Sequence, residues 1–209
     1  MSNLREDKRE DKKVIHSPRI GVLALQGDFA AHADALREAG AEPLLVRAPE
    51  ALVLAGPESL DGLILPGGES TTFLKFLERD RLLGALESFV REKPVFGTCA
   101  GCILLAHKVT HPAQQSLDAM DIDVERNAYG RQIDSAVEEV ETKLPGPPLE
   151  MVYIRAPRIS RAGSAVEVLA ERDGFPVLVR QGNRLASTFH PELSLDRRVH
   201  RLFVSMVQQ

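Results

Sequence analysis

The hydrophobic and polar positions of this chain fall into two patterns, one in each half. In the first half, short continuous apolar runs alternate with stretches that carry an apolar residue every three or four positions. Residues 19–25, RIGVLAL, form one such run, suited to a strand covered on both faces. Residues 42–46, 60–65 and 94–97 supply three more. Between them, the Gln26-Gly27-Asp28 turn leads into a helix through about Ala39, with Phe29, Ala33 and Leu36 on one face and Gly40 as its stop. Further helices are expected at about 71–79 and 82–92, and another from the turn at Cys99 to about Val109. Strands alternating with helices predict an α/β fold: a doubly wound, mostly parallel sheet with flanking helices.

From Asp121 the pattern changes. Segments rich in Val, Ile and Tyr follow one another without long helices between them, at about 122–126, 136–141, 151–154, 166–170, 177–181 and 185–189. They predict additional strands in the C-terminal half, some antiparallel, with Gly182-Asn183 as a hairpin turn. Asp196 can cap a last helix from Arg197 to about Val207, with Val199, Leu202, Phe203 and Met206 as its buried stripe. No internal repeat or second domain is visible, so residues 19–209 read as a single domain. Residues 1–18 are different: Arg5-Glu6-Asp7-Lys8 is followed at once by Arg9-Glu10-Asp11-Lys12. The segment has no apolar stretch of the signal-peptide kind and is expected to be a polar, mobile N-terminal extension, with a short exposed helix as the alternative.

Composition narrows the function classes. At 209 residues the chain can bury one substantial core. Its 44% apolar and 27% charged residues are ordinary for a soluble globular protein. A net charge of −4 gives no basic excess for nucleic acid, and no apolar run is long enough to span a membrane. The two cysteines, Cys99 and Cys102, are no disulfide framework and fit a reducing, cytoplasmic setting.

The chemistry centres on Pro94-Val95-Phe96-Gly97-Thr98-Cys99-Ala100-Gly101-Cys102. A short buried strand ends, turns sharply and enters a helix, with Cys99 in the turn and small residues around it. At a helix N-terminus the partial positive charge favours thiolate over thiol. This is the thiol counterpart of the Gly-x-Ser-x-Gly nucleophile elbow. The Cys-x-x-Cys spacing admits other readings. Zinc would need ligands that no second cysteine pair supplies. A thioredoxin-like redox site leaves the glycine elbow unexplained, so Cys102 is expected to pack in the first turn of the helix. A candidate base lies near the C-terminus, in Phe189-His190-Pro191-Glu192-Leu193. In an extended segment, His190 and Glu192 would project to the same side, one ring nitrogen facing the thiol and the other the carboxylate. Gly67 and Gly68, in Pro66-Gly67-Gly68-Glu69-Ser70-Thr71, allow a backbone N–H to approach a substrate oxygen. Gln26, Gly67-Gly68 and Cys99 all fall at the carboxyl ends of expected strands, where open α/β sheets place their sites. His107 and His111 are four apart but lack an evident third metal ligand, and read as surface residues.

A cysteine elbow followed far downstream by His-x-Glu resembles the class I glutamine amidotransferases, which have a flavodoxin-like sheet. Leu23-Ala24-Leu25-Gln26-Gly27, Leu65 to Thr71, Gly97 to Gly101, Arg126-Asn127-Ala128-Tyr129-Gly130-Arg131-Gln132, Ile154-Arg155-Ala156-Pro157 and residues 189–193 resemble, in order, the glutaminase subunits of pyridoxal 5'-phosphate synthase. The resemblance runs from about Arg19 to the C-terminus. It implies hydrolysis of L-glutamine by Cys99, His190 and Glu192, with an oxyanion held at Gly67, Gly68 and Ala100. It also implies glutamine contacts from Gly68, Glu69, Ser70, Arg126, Ile154 and Arg155, no cofactor and no metal, and delivery of ammonia to a synthase subunit. Cys102 departs from the family, which usually carries an aliphatic residue there. Two rivals share the sheet. One is a cysteine hydrolase or chaperone-like protein whose histidine directly follows the cysteine, a position held here by Ala100. The other is a non-catalytic module that keeps only the fold.

Overall fold

Residues 17–127 and 135–209 are described by a computed structural model. Almost all of the expected N-terminal extension, and Ala128 to Gln132 of the Arg126–Gln132 run, lie outside these residues. Pro18, placed in the extension by its sequence, is buried, and its carbonyl accepts the Glu42 N–H at 2.9 Å.

The apolar runs of the first half become β1 (Arg19–Leu23), β2 (Glu42–Val46), β3 (Gly62–Leu65) and β4 (Val95–Thr98). The periodic stretches become α1 (Phe29–Glu38), α2 (Ser70–Arg79), α3 (Leu83–Glu92) and α4 (Ala100–Leu105). The second half contributes β5 (Ala106–Thr110), β6 (Met120–Glu125), β7 (Ser135–Val140), β8 (Leu149–Ile154), β9 (Arg158–Ala162), β10 (Glu167–Arg172), β11 (Phe175–Gln181), β12 (Arg184–Ser187) and α5 (Arg198–Val207).

The main sheet runs in the order β10-β11-β12-β4-β3-β1-β2. β2, β1, β3, β4 and β12 run parallel to one another; β11 pairs antiparallel with both β12 and β10. Alternation along each strand sends side chains to two cores. Leu63, Leu65 and Val95 face one way, onto Phe73, Leu77, Leu86, Phe89 and Leu104 of α2, α3 and α4. Ile20, Val22, Ile64 and Phe96 face the other, onto Leu36 of α1 and Val199 and Phe203 of α5. A sheet covered on both faces explains why its strands read as unbroken apolar runs. The doubly wound, mostly parallel architecture and its antiparallel C-terminal additions are those expected. Two small sheets, β5-β6-β9 and β7-β8, flank the main one.

Three local expectations need correction, and one strand was not expected. The helix after Cys99 stops at Leu105 rather than near Val109, because the backbone turns extended at Ala106 and β5 pairs in parallel with β6. β9 is not legible as a strand, because Ile159 is its one buried residue. Ion pairs of Arg158 with Glu125 and of Arg161 with Asp121 and Asp123 hold it on β6. The last helix starts one residue late, at Arg198, whose N–H donates to Asp196 Oδ1 at 2.9 Å. The segment after β12 is not extended: Pro191–Leu193 forms a 3₁₀ turn.

The elbow rests on close packing. A Cβ on Gly101 would lie 2.0 Å from the Leu65 carbonyl oxygen, and one on Gly97 would lie 2.5 Å from the Gly101 backbone. Gly101→Ala is therefore expected to destabilise the fold by about 1–3 kcal/mol despite alanine's better helix propensity. Gly84, in α3, has open space around its Cβ position. Gly84→Ala is expected to be neutral or to stabilise by up to about 1 kcal/mol. Denaturant midpoints of the two variants give the comparison.

Candidate active site

Cys99 stands between β4 and α4 with φ 48° and ψ −101°, a conformation that side chains other than glycine's rarely adopt. Its N–H donates to the Ser187 carbonyl of β12 at 2.8 Å, and its own carbonyl accepts from Ile103 at 3.2 Å. The strained residue is thus held from both sides and is 5% exposed. Both cysteines are unbridged thiols. Cys102 is fully buried among Leu and Ile side chains, and burial, with a smaller contribution from Cys99, pushes its thiol well above the ordinary range. Such a thiol packs and is a poor nucleophile at neutral pH.

The parallel pairing of β12 with β4, Ser187 opposite Thr98, brings the chain beyond β12 to Cys99. The His190 N–H donates to the Val152 carbonyl of β8 at 2.8 Å, and the 3₁₀ turn folds Glu192 back beneath the ring. His190 Nδ1 lies 2.7 Å from Glu192 Oε1. The convergence expected from an extended segment is achieved by a turn. Burial lowers the proton affinity of His190, but hydrogen bonds and charge from Cys99 and Glu192 outweigh it and raise the imidazole to about 10. Burial opposes the charge on Glu192, yet His32 and His190 hold its carboxyl below the usual range.

A cleft of about 220 Å³ opens over these groups. Gly68, Glu69, Ser70, Arg126, Ile154 and Arg155 all line it with Cys99 and His190, as do Gly27, Asp28, Ile103 and Asn127. Gly67 packs against the His190 ring, where a Cβ would come within 2.4 Å of Cε1. Ala100 is the first residue of α4, so its N–H has no partner within the helix. Arg126 donates to Glu69 Oε1 at 3.2 Å and to Thr71 Oγ1 at 2.8 Å. Ser70 is less available than expected: it is 3% exposed, and its hydroxyl donates to Gln114 Oε1 at 2.8 Å. Gln26 Nε2 donates to the Glu69 carbonyl at 2.8 Å, tying the first strand end to the glycine loop.

His107 is paired with Asp118 at 2.7 Å, and neither it nor His111 joins a group of three potential metal ligands among the described residues. The group that does form there is Asp28, His190 and Glu192, of which the last two are already hydrogen-bonded to each other. The sequence reading passed over His32. It is fully buried, with Nε2 3.3 Å from Glu192 Oε2 and 3.2 Å from Thr98 Oγ1. Its signal was its position: Phe29, His32, Ala33 and Leu36 share one helical face, and the histidine stands in the apolar stripe.

The model of the SNO glutamine amidotransferase family matches residues 22–209. The chain belongs to this family. It is 58% identical over 190 residues to "Pyridoxal 5'-phosphate synthase subunit PdxT" of Koribacter versatilis, covering 91% of this chain and 96% of that relative. It is 53% identical over 193 residues to the protein of the same name from Solibacter usitatus, covering 90% of this chain and 98% of that relative. A crystal structure of a glutamine amidotransferase superposes with TM-score 0.81 at 44% identity, over 91% of this chain and 99% of that one. A GMP synthase subunit from Thermoplasma acidophilum, at 18% identity and TM-score 0.67, shares the fold. No helix among the described residues is long and apolar enough to cross a membrane.

Glu69 caps α2, accepting from the Thr71 N–H at 3.0 Å and the Thr72 N–H at 2.7 Å. Burial opposes its charge, but these bonds and the threonine hydroxyls lower its pKa to about 2. A depressed carboxyl stabilises the fold above the unfolded-state pKa and loses that contribution as pH falls through the folded one. Glu69→Ala is therefore expected to cost about 1 kcal/mol or less at pH 7, since the side chain is half exposed. The gap to wild type should narrow between about pH 4.5 and 2. Urea midpoints at pH 7 and pH 3 measure it.

Proposed function

We propose that this chain hydrolyses L-glutamine to L-glutamate and ammonia, and hands the ammonia to a synthase subunit that makes pyridoxal 5'-phosphate. The observation that carries the reading is that Cys99 and His190 line one cleft, with Glu192 hydrogen-bonded to His190, in a chain 58% identical to a pyridoxal 5'-phosphate synthase subunit.

In this reading the Cys99 thiolate attacks the carboxamide carbon and His190 takes part as acid and base. The tetrahedral oxyanion lies at the start of α4, against the Ala100 N–H and the Gly67-Gly68 loop. His190 protonates the departing ammonia, leaving a γ-glutamyl thioester on Cys99, and then activates the water that releases glutamate. Glu192 holds the imidazole tautomer and stabilises its charged form. Arg126 is fixed by Glu69 and Thr71 at the cleft wall, which suits a guanidinium that receives the α-carboxylate. Gly68, Glu69, Ser70, Ile154 and Arg155 complete the proposed glutamine site. These residues need neither metal nor cofactor for the reaction.

Cys99→Ala is expected to abolish ammonia release while leaving the fold intact, and Cys102→Ala to retain most activity. His190→Asn should reduce turnover about 10²–10⁴-fold. Glu192→Gln should cost less, since an orienting group is worth less than the base. Steady-state glutaminase rates of the four variants decide it; loss that followed Cys102 and spared Cys99 would remove the assignment.

The chain alone is expected to be a poor glutaminase. An oxyanion N–H held out of place until a partner docks would cost about a hundred- to thousandfold in rate. The Gln26 bond to Glu69 makes Gln26 the candidate relay to the glycine loop. Glutamine turnover with and without a stoichiometric synthase subunit measures this, and equal rates would sink the gating.

A further inference from the structure

Behind the proposed triad lies a buried pair that the reaction as written does not use. His32 of α1 and His200 of α5 are both 0% exposed. Their rings are 5.3 Å apart between centroids, and the edge of the Phe96 ring system packs against both. His32 Nδ1 lies 3.1 Å from His200 Nε2, and its Nε2 lies 3.3 Å from Glu192 Oε2. That carboxylate oxygen has no hydrogen-bond partner among the described residues, because the hydrogen bond of His32 Nε2 is directed to Thr98 Oγ1 at 3.2 Å and the carboxylate lies off that axis; His200 Nδ1 has no partner there either.

We propose that His32 is a positioning residue, whose Nε2–H dipole attracts the second oxygen of Glu192 at 3.3 Å while His200 fixes the tautomer by donating to His32 Nδ1. The proposal rests on the glutaminase reading above. Donors and acceptors fix the tautomer. A carboxylate oxygen only accepts, so an unprotonated Nε2 would set a lone pair against it in a buried site. With Nε2 protonated, a neutral His32 has an acceptor at Nδ1, and His200 must supply the proton from Nε2. His200 then carries its unprotonated nitrogen at Nδ1, the atom that has no partner. The orphan is an acceptor, less costly than a stranded N–H. Both rings are held neutral. Burial lowers His32 first, against Glu192, while His190 lowers it and Asp28 raises it. Burial lowers His200, followed by His32 and Arg197. Those are the charged groups that face the pair from the surrounding elements. The result is an ordered line of groups: His200 donates to His32, the His32 Nε2–H dipole faces Glu192 Oε2, and His190 takes the other oxygen. The hydrogen bond of His32 Nε2 goes to Thr98 Oγ1, next to Cys99, so the same ring is also fixed against β4.

Two measurements test this. In wild-type protein, imidazole ¹⁵N NMR between pH 6 and 8 should show His32 protonated at Nε2 and bare at Nδ1. This readout needs no substrate, so it is separate from the glutaminase reading. In the complex with the synthase subunit, His32→Leu should lower kcat about ten- to a hundredfold with KM unchanged. His32→Gln, whose amide can donate from nearly the same place, should recover to within about threefold of wild type. In a Glu192→Gln background, His32→Leu should change kcat less than about twofold, because the residue it served is gone. An Nδ1–H tautomer, a wild-type kcat for His32→Leu, failure of His32→Gln to rescue at equal thermal stability, or equal losses in both backgrounds would overturn the proposal.

Discussion

Everything at the site depends on how closely α4 can approach the sheet. Cys99 reaches its position because Gly101 lets the helix lie against the Leu65 carbonyl and Gly97 lets the strand lie against the helix. The same approach forces Cys99 to a positive φ, and the Ser187 carbonyl then secures its N–H. Three parallel strands, β3, β4 and β12, therefore converge on one peptide. The glycine loop follows β3, Cys99 follows β4 and His190 follows β12. Adjacent parallel strands end on the same side, so their following loops are neighbours without any further design.

Much of this was legible in the sequence, for identifiable reasons. Strands buried on both faces write themselves as apolar runs, and β1, β3 and β4 did so. Cys99, the glycine pair and His190 sit at the ends of such runs. What stayed hidden depends on partners distant in the chain. β9 is a strand because Asp121, Asp123 and Glu125 on β6 supply its arginines with counter-charges. α4 is short because Met120 awaits Ala106 in a parallel pairing that no local pattern announces. The site behaves likewise. Six expected cleft residues do line one cleft, but the engagement of Ser70 by Gln114 and the 3₁₀ turn under His190 were invisible.

His32 shows the limit most clearly. On a helical wheel it stands with Phe29, Ala33 and Leu36, where a histidine passes as a filler of the core. Its significance appears when α5 brings His200 to one nitrogen and the turn after β12 brings Glu192 to the other. A residue that spans two elements cannot be read from either alone.

The place of β12 in the sheet has a consequence for how the molecule comes into being. It lies between β4 and β11, yet it is made later than every other described strand. Until it arrives, β4 is an open edge and Cys99 lacks the carbonyl that secures it. Cys99 precedes its proposed proton acceptor, His190, by about ninety residues, so the thiol is on hand long before the imidazole is made. Long-range pairing of this kind comes late in folding, because the loop-closure entropy must be met before the contacts can form. The insertion of one four-residue strand closes the sheet and brings together the proposed triad in the same step, so a ribosome-bound chain that ends before β12 carries the cysteine without His190 and Glu192.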